Sequence, residues 1–317
     1  MCAVSFGPAQ VARARAATAA ARPSIVIGSP GADIYRAGSR LRVTFSCTSP
    51  SGIARCTGTL GGPGTRAHRV LSGTAIKPVR TGRYTLRVYA RDRRRRSSTT
   101  AIQFLIERAV SWSGYAWFVR HPGWGGPGGN LWSDSSSNVR VSGSDLVLSI
   151  ARDKSGRWTS SEIDNSRHLG YGTYRWVVAS DLSTDDPHQV LGMFTFGGTG
   201  PVADEIDIEP SQWGNPLAPD GSVAVWQTSR TQPSQFGTFT YSNHPPYVNQ
   251  FTWSPGRVRF LVTDATGAVL LDWTAIGGVP ATSDEVPVIN YWRFGNVAPS
   301  GTTAVRISSF TWTPLGR

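Results

Sequence analysis

The sequence predicts an all-β protein in which a small β-sandwich precedes a larger β jelly roll. Short runs of β-branched and aromatic residues recur along the 317 residues, separated by turns rich in Gly, Pro, Asn and Asp. No segment has the period of an amphipathic helix. All 12 tryptophans lie at or beyond Trp112, and the charge balance changes at the same place. The composition therefore divides the chain into two domains.

Residues 1–22 are expected to lie outside the fold. This segment is rich in Ala and Arg, and residues 16–21 resemble the small-residue end of a secretory signal peptide. We expect a disordered segment or the remnant of a signal peptide, and therefore a secreted, extracellular protein. No run reaches the ~20 apolar residues that a membrane-spanning helix needs.

Residues 23–107 are predicted to form the small β-sandwich, because about 85 residues of short strands suit that architecture. Cys47 and Cys56 flank a Ser-Pro-Ser-Gly turn, which predicts a disulfide between adjacent strands in an oxidising compartment. The strands of this domain are predicted at residues 25–27, 41–45, 84–90 and 101–106.

The same segment resembles the bacterial immunoglobulin-like domains that are often joined to secreted enzymes. The matching features are Ser29-Pro30, Gly38, the cysteine pair, the run from Gly82 to Leu86 and the strand end from Ala90 to Asp92. The resemblance implies an immunoglobulin-like fold. It does not identify an activity, because members of that family have many functions.

The positive charge of the chain belongs to its N-terminal part. Residues 1–109 carry 19 Arg and Lys residues against 3 acidic ones, a net charge of +16, whereas residues 110–317 have a net charge of −4. The basic residues are scattered without an accompanying aromatic set, which argues against nucleic-acid binding. Two interpretations stay open: a solvated surface, above all at Arg93 to Arg96, and attraction to an anionic cell-wall polymer or acidic polysaccharide.

Residues 108–317 are predicted to form the jelly roll, because about 210 residues of short strands in one unit imply a large sandwich. The strands are predicted at residues 146–150, 172–178, 190–196, 205–209, 223–228, 250–253, 257–262, 286–292 and 305–312.

The most informative segment of the chain is Glu205-Ile206-Asp207-Ile208-Glu209. Side chains alternate between the faces of a strand, so the three carboxylates share one face and the two isoleucines the other. Aligned like charges repel each other and do not favour folding. Two carboxylates that face a shared space are the groups that glycoside hydrolysis requires. The alternative is an exposed acidic strand.

The spacing within this segment fits a retaining mechanism. We expect the Cα atoms of Glu205 and Glu209 roughly 13 Å apart, at about 3.3 Å per residue. On a concave sheet their carboxyls can approach the ~5–5.5 Å of retaining enzymes, below the ~6.5–9.5 Å of inverting ones. Asp207 can hydrogen-bond a neighbouring carboxyl, so the three groups titrate together. Crowding and burial should raise the pKa of the glutamate that acts as the acid.

Around this motif, residues 110–317 resemble glycoside hydrolase family 16. Further matching segments occur in the family's order and spacing at residues 158–162, 169–176, 191–196, 251–256 and 288–292. The motif has the form without an inserted residue, like that of lichenases and xyloglucan-active members. The resemblance implies a concanavalin-A-like jelly roll with a substrate cleft on its concave face. Pro210, which has no backbone N–H, predicts a strand end directly after Glu209.

The resemblance also implies the roles of the three carboxyl groups. Glu205 would be the nucleophile of a double displacement, Glu209 the general acid and base, and Asp207 their helper. The implied activity is that of a retaining endo-β-glycosidase on β-1,3- or mixed β-1,3/1,4-glucan. The alternatives are the same mechanism on xyloglucan or a galactan, as a hydrolase or a transglycosylase, and a carbohydrate-binding protein without catalysis.

Candidate sugar-binding residues lie on neighbouring strands and just after the motif. Aromatic faces stack on sugar rings, while amides and carboxylates bind hydroxyl groups. The predicted residues are Glu162, Trp213, Trp226, Gln227, Asn290 and Trp292. For each of the three tryptophans, packing in the core is an equal alternative. Trp158, Trp176 and Trp253 are expected in the core.

Other chemistry finds no support in the sequence. The five histidines are dispersed and make no metal-ligand pattern. Neither a nucleophile elbow nor a phosphate-binding loop is present. We therefore predict no metal, no cofactor and no nucleic-acid partner. The expected partner is the polysaccharide substrate, and we expect a monomer.

Overall fold

The computed structural model describes residues 21–122, 126–183, 186–197, 204–227 and 231–316. Residues 1–20, where most of the predicted signal-peptide remnant falls, lie outside this part. The chain forms two compact units. The first runs to Asp33 and includes Arg40–Ile76 and Arg83–Phe104, and the second includes Ile34–Ser39, Lys77–Gly82 and Leu105–Arg317. The predicted division into domains at residues 107 and 108 stays a prediction.

The first ten strands are β1 (Ser24–Ser29), β2 (Ile34–Arg36), β3 (Leu41–Arg42), β4 (Thr44–Thr48), β5 (Ile53–Gly62), β6 (Thr65–Val70), β7 (Ala75–Ile76), β8 (Gly82–Asp92), β9 (Ser97–Trp112) and β10 (Tyr115–Val119). The next are β11 (Val139–Ser142), β12 (Asp145–Arg152), β13 (Trp158–Thr159), β14 (Ser161–Asn165), β15 (Gly172–Val178), β16 (Gln189–Gly197) and β17 (Asp204–Pro210). The last are β18 (Gly221–Trp226), β19 (Gln235–Phe239), β20 (Tyr247–Ser254), β21 (Arg257–Thr263), β22 (Val269–Ile276), β23 (Val286–Arg293) and β24 (Thr303–Pro314).

Helical structure in the described residues is limited to two single-turn 3₁₀ helices, Pro127–Gly129 and Phe294–Asn296. Neither of these described helices is long and apolar enough to cross a membrane. The prediction of an all-β fold is therefore confirmed.

The first unit is built on a sheet in which β8 lies between β9 and β5, with β6 on the far side of β5. Two shorter antiparallel pairs, β1 with β4 and β3 with β7, complete it. The predicted disulfide joins Cys47 on β4 to Cys56 on β5. The buried apolar side chains of the first unit include Phe45, Leu60, Leu86 and Val88. The immunoglobulin-like identity of this unit stays a prediction.

The second unit is a sandwich of two sheets, as the sequence predicts for a jelly roll. One sheet has the order β19-β18-β17-β16-β23-β14-β10-β9, and β2 runs parallel to β9 at its edge. The other has the order β11-β12-β24-β15-β20-β21-β22, with β13 beside β12. The central strand pairs are antiparallel. Strand β17, which carries the carboxylate motif, is thus an inner strand of the first sheet.

The core of this sandwich is rich in aromatic side chains. Trp117, Trp176 and Trp253 are fully buried. The ring of Phe310 lies 5.2 Å from that of Trp117 and 5.3 Å from that of Trp176, between centroids. Two of the three predicted core tryptophans are therefore fully buried, and the third, Trp158, packs partly buried against the same core. This packing fixes the sheet from which the carboxylates project.

Each strand predicted in the second domain overlaps an observed strand, and β15 has the predicted bounds. Strand β17 ends at Pro210, one residue beyond the predicted end after Glu209. Strands β5, β6, β10, β19 and β22 are among the observed strands that have no predicted counterpart. The first of these carries three glycines, and β6 is exposed along five of its six residues, so neither shows the alternation of apolar and polar residues that identifies a strand.

Replacing Ile206 by Ala tests the inner face of β17. Ile206 is 0% exposed, so removing its side chain is expected to lower the free energy of unfolding by about 2–5 kcal/mol. The control is Val269→Ala on β22, where the side chain is 60% exposed and the expected change is within about 0.5 kcal/mol. Urea unfolding measures both, and equal effects of the two substitutions would contradict this description of the core.

Candidate active site

Strand β17 places Glu205, Asp207 and Glu209 on one face of the sheet. It pairs with β16 on one side and β18 on the other, and neither pairing shifts register along the motif. Ile206 and Ile208 point into the core and are 0% exposed. The strand therefore has no inserted residue between the two glutamates, as the sequence motif predicts, and all three carboxyls lie on the face opposite the core.

The cross-strand neighbours give each carboxyl different surroundings. Residues directly opposite each other in antiparallel strands share a face, so each carboxyl on β17 has one neighbour on each side. The neighbours are Phe196 and Trp226 for Glu205, Phe194 and Ala224 for Asp207, and, on the β18 side, Ser222 for Glu209. Aromatic rings therefore flank the first glutamate, while a small serine side chain lies beside the second.

Asp207 is the buried member of the three, with 2% of its surface exposed. The indole Nε1 of Trp226 donates a hydrogen bond to its Oδ2 at 2.5 Å. Burial raises the pKa of Asp207 well above its usual range, the charges of Glu205 and Glu209 raise it further, and the bond from Trp226 opposes them. A hydrogen bond with Glu205 also raises this pKa. These causes favour the protonated form of Asp207, which can donate to the Glu205 carboxylate.

Glu209 has the proton that a general acid needs. Burial, and then the negative charge of Glu205, raise the pKa of Glu209 to about 8. At neutral pH the Glu209 carboxyl is therefore largely protonated, whereas an ordinary glutamate has released its proton. The site places this proton donor and the Glu205 carboxylate on the same strand face, four residues apart.

Gly192 leaves room for the side chain of Asn290. It stands opposite Asn290 on β23, and its backbone N–H donates to Asn290 Oδ1 at 3.1 Å. A Cβ at this position would lie 2.4 Å from the same oxygen. A side chain here would therefore displace Asn290.

Glu162 and Asn290, two of the predicted sugar-binding residues, form a buried network. They are 3% and 4% exposed, and Asn290 Nδ2 donates to Glu162 Oε2 at 3.2 Å. Arg120 forms an ion pair with Glu162, and its guanidinium lies 4.9 Å from the ring centroid of Trp132. Glu162, Asn290 and Gly192 stand side by side on the neighbouring strands β14, β23 and β16. Three strands of the sheet therefore hold this network in place.

Two more carboxyls accompany Arg120, and sequence reasoning assigned no role to either of them. Burial raises the pKa of Glu107 to about 7, with added repulsion from Glu162 and Asp134, while Arg120 opposes the rise. Burial and the charge of Glu162 also raise the pKa of Asp164. Sequence reasoning missed Arg120 because strand β10 was not predicted, although the apolar run that makes this strand, Tyr-Ala-Trp-Phe-Val, is visible in the sequence.

The predicted tryptophans differ in exposure. Trp226 is partly exposed beside Glu205, and Trp292 is almost fully buried against Trp132 and Val190. Trp213 packs edge-on against Trp292 and Phe294, at centroid distances of 6.0 and 5.5 Å. Trp226 therefore lies beside Glu205, whereas Trp213 and Trp292 pack against each other.

Gln227 lies just beyond the end of β18, and its backbone N–H donates to Ser234 Oγ at 3.3 Å. Among the residues with described positions, no group of three or more His, Cys, Asp and Glu side chains is arranged to hold a metal ion.

Solved structures share the fold of this chain at low sequence identity. A native glycosidic hydrolase aligns with a TM-score of 0.50 at 20% identity, over 63% of this chain and 90% of its own. A prokaryotic β-1,3-1,4-glucanase (lichenase) from a mouse hindgut metagenome gives 0.49 at 21%, over 63% and 93%. The Bacillus licheniformis β-glucanase gives 0.48 at 18%, over 62% and 91%. No model of a protein family and no curated protein matches the chain. At such identities the likeness shows the fold alone.

Gly192→Ala tests the close packing of Asn290 against Gly192. The new Cβ must displace Asn290, so we expect the free energy of unfolding to fall by about 1–3 kcal/mol. The control is Gly301→Ala, because a Cβ at Gly301 meets no atom within 4 Å. Denaturant unfolding of both variants checks the expectation, and a Gly192→Ala protein as stable as the control would contradict it.

The raised pKa of Glu209 predicts how stability changes with pH. Between pH 4.5 and about 8 the folded protein holds a proton on Glu209 that the unfolded chain releases. Its contribution to stability is therefore complete below pH 4.5 and is lost as the pH rises through about 8. Relative to wild type, the Glu209→Gln variant should gain up to about 4 kcal/mol between pH 5 and pH 8. Urea unfolding across this range measures the gain, and a constant difference would contradict it.

Proposed function

We propose that this protein is a retaining endo-β-glycosidase that hydrolyses β-1,3- or mixed β-1,3/1,4-glucan. The observation that carries the proposal is the chemical difference between two glutamates on one strand face. Glu209 is held protonated by burial and by the charge of Glu205, and Glu205 accepts a hydrogen bond from Asp207. A proton donor and a carboxylate nucleophile facing one space are the requirements of the retaining reaction.

In the first step the Glu205 carboxylate attacks the anomeric carbon of a bound sugar. The bond from that carbon to the glycosidic oxygen breaks, and Glu209 gives its proton to the departing oxygen. A glycosyl ester on Glu205 and an ionised Glu209 result. Consumption of the Glu205 charge removes one of the causes that raise the pKa of Glu209, which favours release of its proton.

In the second step the ionised Glu209 takes a proton from water while the water oxygen attacks the anomeric carbon. The ester bond breaks, the Glu205 carboxylate is restored and Glu209 is protonated again. Asp207 positions Glu205 through their hydrogen bond, and the Trp226 indole fixes Asp207 in turn. The partly exposed face of Glu205 and Glu209 gives the sugar access to both.

The predicted sugar-binding residues have separate roles in this proposal. Trp226 and Trp213 are partly exposed, and we assign them to stacking against sugar rings. Glu162, Asn290 and Trp292 are nearly buried and form the floor of the cleft. Gln227, at the end of β18, is assigned to a sugar hydroxyl.

The choice of substrate rests on the sequence resemblance to glycoside hydrolase family 16. The glycosidic hydrolase with a TM-score of 0.50 supports the general class of reaction on this fold. Secretion of the protein and the immunoglobulin-like nature of the first unit belong to the same proposal. The Cys47–Cys56 disulfide supports secretion, because disulfides persist in oxidising compartments.

Substitution of either glutamate tests the proposal on a panel of β-glucans, xyloglucan and galactans. Glu205→Gln removes the nucleophile and Glu209→Gln the acid, so turnover of the preferred polymer should fall by about 10²–10⁴-fold or more in each variant. Asp272→Asn on β22 of the opposite sheet is the control and should retain wild-type turnover. In wild type, proton NMR of the first products should show the β-anomer, because two displacements retain configuration.

An α-anomer as the first product would contradict the retaining mechanism. Turnover of xyloglucan or a galactan alone would replace the proposed substrate and keep the mechanism. Binding of glycans without turnover, unchanged by Glu205→Gln, would show a carbohydrate-binding protein instead.

A further inference from the structure

The first unit carries a row of arginines on the outer face of its main sheet. Strand β8 alternates strictly between buried and accessible residues, and Arg83, Arg87 and Arg91 are exposed. Arg55 on β5 stands directly opposite Arg91, and both are exposed. Arg69 on β6 stands opposite Thr59 of β5, which in turn stands opposite Arg87. These five residues, Arg55, Arg69, Arg83, Arg87 and Arg91, are called the arginine face.

The arrangement is unfavourable for an isolated fold. Like charges directly opposite each other on neighbouring strands destabilise a sheet, and Arg55 and Arg91 form such a pair. No acidic residue stands among the outward-facing positions of the described strands β5, β6 and β8. Asp92, at the end of β8, is buried and bound to Arg96. The repulsion across this face is therefore not offset by a carboxylate of the same strands.

Two structural explanations fit poorly. Charges often protect the exposed edge of a sheet from aggregation, but β8 and β5 both lie inside the strand order. A surface that only maintains solubility mixes both signs of charge, and this face has one sign. A polyanionic partner explains the single sign and the repetition along β8.

We propose that the arginine face binds a linear acidic polysaccharide through its carboxylates. Arg83 and Arg91 are separated by eight residues, roughly 26 Å of strand at about 3.3 Å per residue, so the face spans several units of a polymer. The guanidinium fork matches a carboxylate in a bidentate geometry.

The residues between the arginines match the rest of a sugar. Thr59 and Thr85 present hydroxyl groups on this face, and Tyr89 presents a ring with the Arg55 guanidinium 6.0 Å from its centroid. Hydroxyls and one aromatic ring suit a sugar chain. Nucleic acid would call for a series of stacking aromatic side chains, and the outward-facing positions of these strands hold a single one. This binding is independent of the proposed hydrolysis.

The test uses the whole chain and measures its affinity for polygalacturonate, with laminarin, linear polyphosphate and duplex DNA as comparisons. Wild type should bind polygalacturonate most tightly, and added salt should weaken the complex. The variant R83Q/R87Q/R91Q should lose at least tenfold in affinity. The control R40Q/R42Q/R66Q removes the same charge from exposed residues outside the arginine face, and should lose less than threefold.

A second variant, R83K/R87K/R91K, keeps the charge and removes the forked geometry. Its expected loss is several-fold, between those of the control and the glutamine variant, and it applies even if the glutamine variant folds poorly. Equal losses in the face and control variants would overturn the proposal, because net charge alone would then account for binding. Affinity for polyphosphate or DNA as high as for polygalacturonate would also overturn it, because carboxylate recognition would then be absent.

Discussion

On β17, the Asp207 carboxyl lies between two glutamates, is nearly excluded from water and accepts a hydrogen bond from Trp226. Three ionised carboxylates in this position would repel each other at close range without solvent to screen them. Burial is the first cause that raises the pKa values of both Asp207 and Glu209, and a raised pKa favours the protonated, uncharged form of each. Protonation of Asp207 and Glu209 reduces the repulsion between the carboxyls of β17. The proposed reaction starts from the same protonation state.

The rest of the second unit maintains that arrangement. The isoleucines on the other face of β17 pack into an aromatic core, which holds the three carboxyls on the opposite face. Asn290 binds both Gly192 and Glu162, and Arg120 forms an ion pair with Glu162. The buried Glu162 therefore has a cation and an amide as partners.

Strand β17, which carries the three carboxyls, could be predicted from sequence because its signal is local. Alternation along Glu205 to Glu209 defines a strand, and the same alternation puts three carboxyls on one face. The buried network of Arg120, Glu162 and Asn290 could not be predicted in this way. Arg120, Glu162 and Asn290 lie far apart in sequence and meet only because β10, β14 and β23 are neighbours in the sheet. Strand β5 is rich in glycine and β6 is exposed along most of its length. Neither was predicted, because neither shows an alternation of apolar and polar residues.

The first unit shows the same division between local and non-local signals. Its excess of positive charge is evident from composition, and the four-residue spacing of Arg83, Arg87 and Arg91 already places them on one strand face. Their alignment with Arg55 and Arg69 depends on the register of β5 and β6, and that register comes from the structure. Composition alone therefore leaves a solvated surface and a binding surface undistinguished.

The most direct measurement is a ¹³C NMR titration of the glutamate carboxyls. The chain has five glutamates, so selective labelling yields few signals, and the signal absent from Glu209→Gln identifies Glu209. Glu209 should titrate with a midpoint of about 8, and the midpoint should fall in Glu205→Gln because the charge of Glu205 contributes to the raised pKa. A midpoint near 4.5, unchanged by Glu205→Gln, would contradict the account.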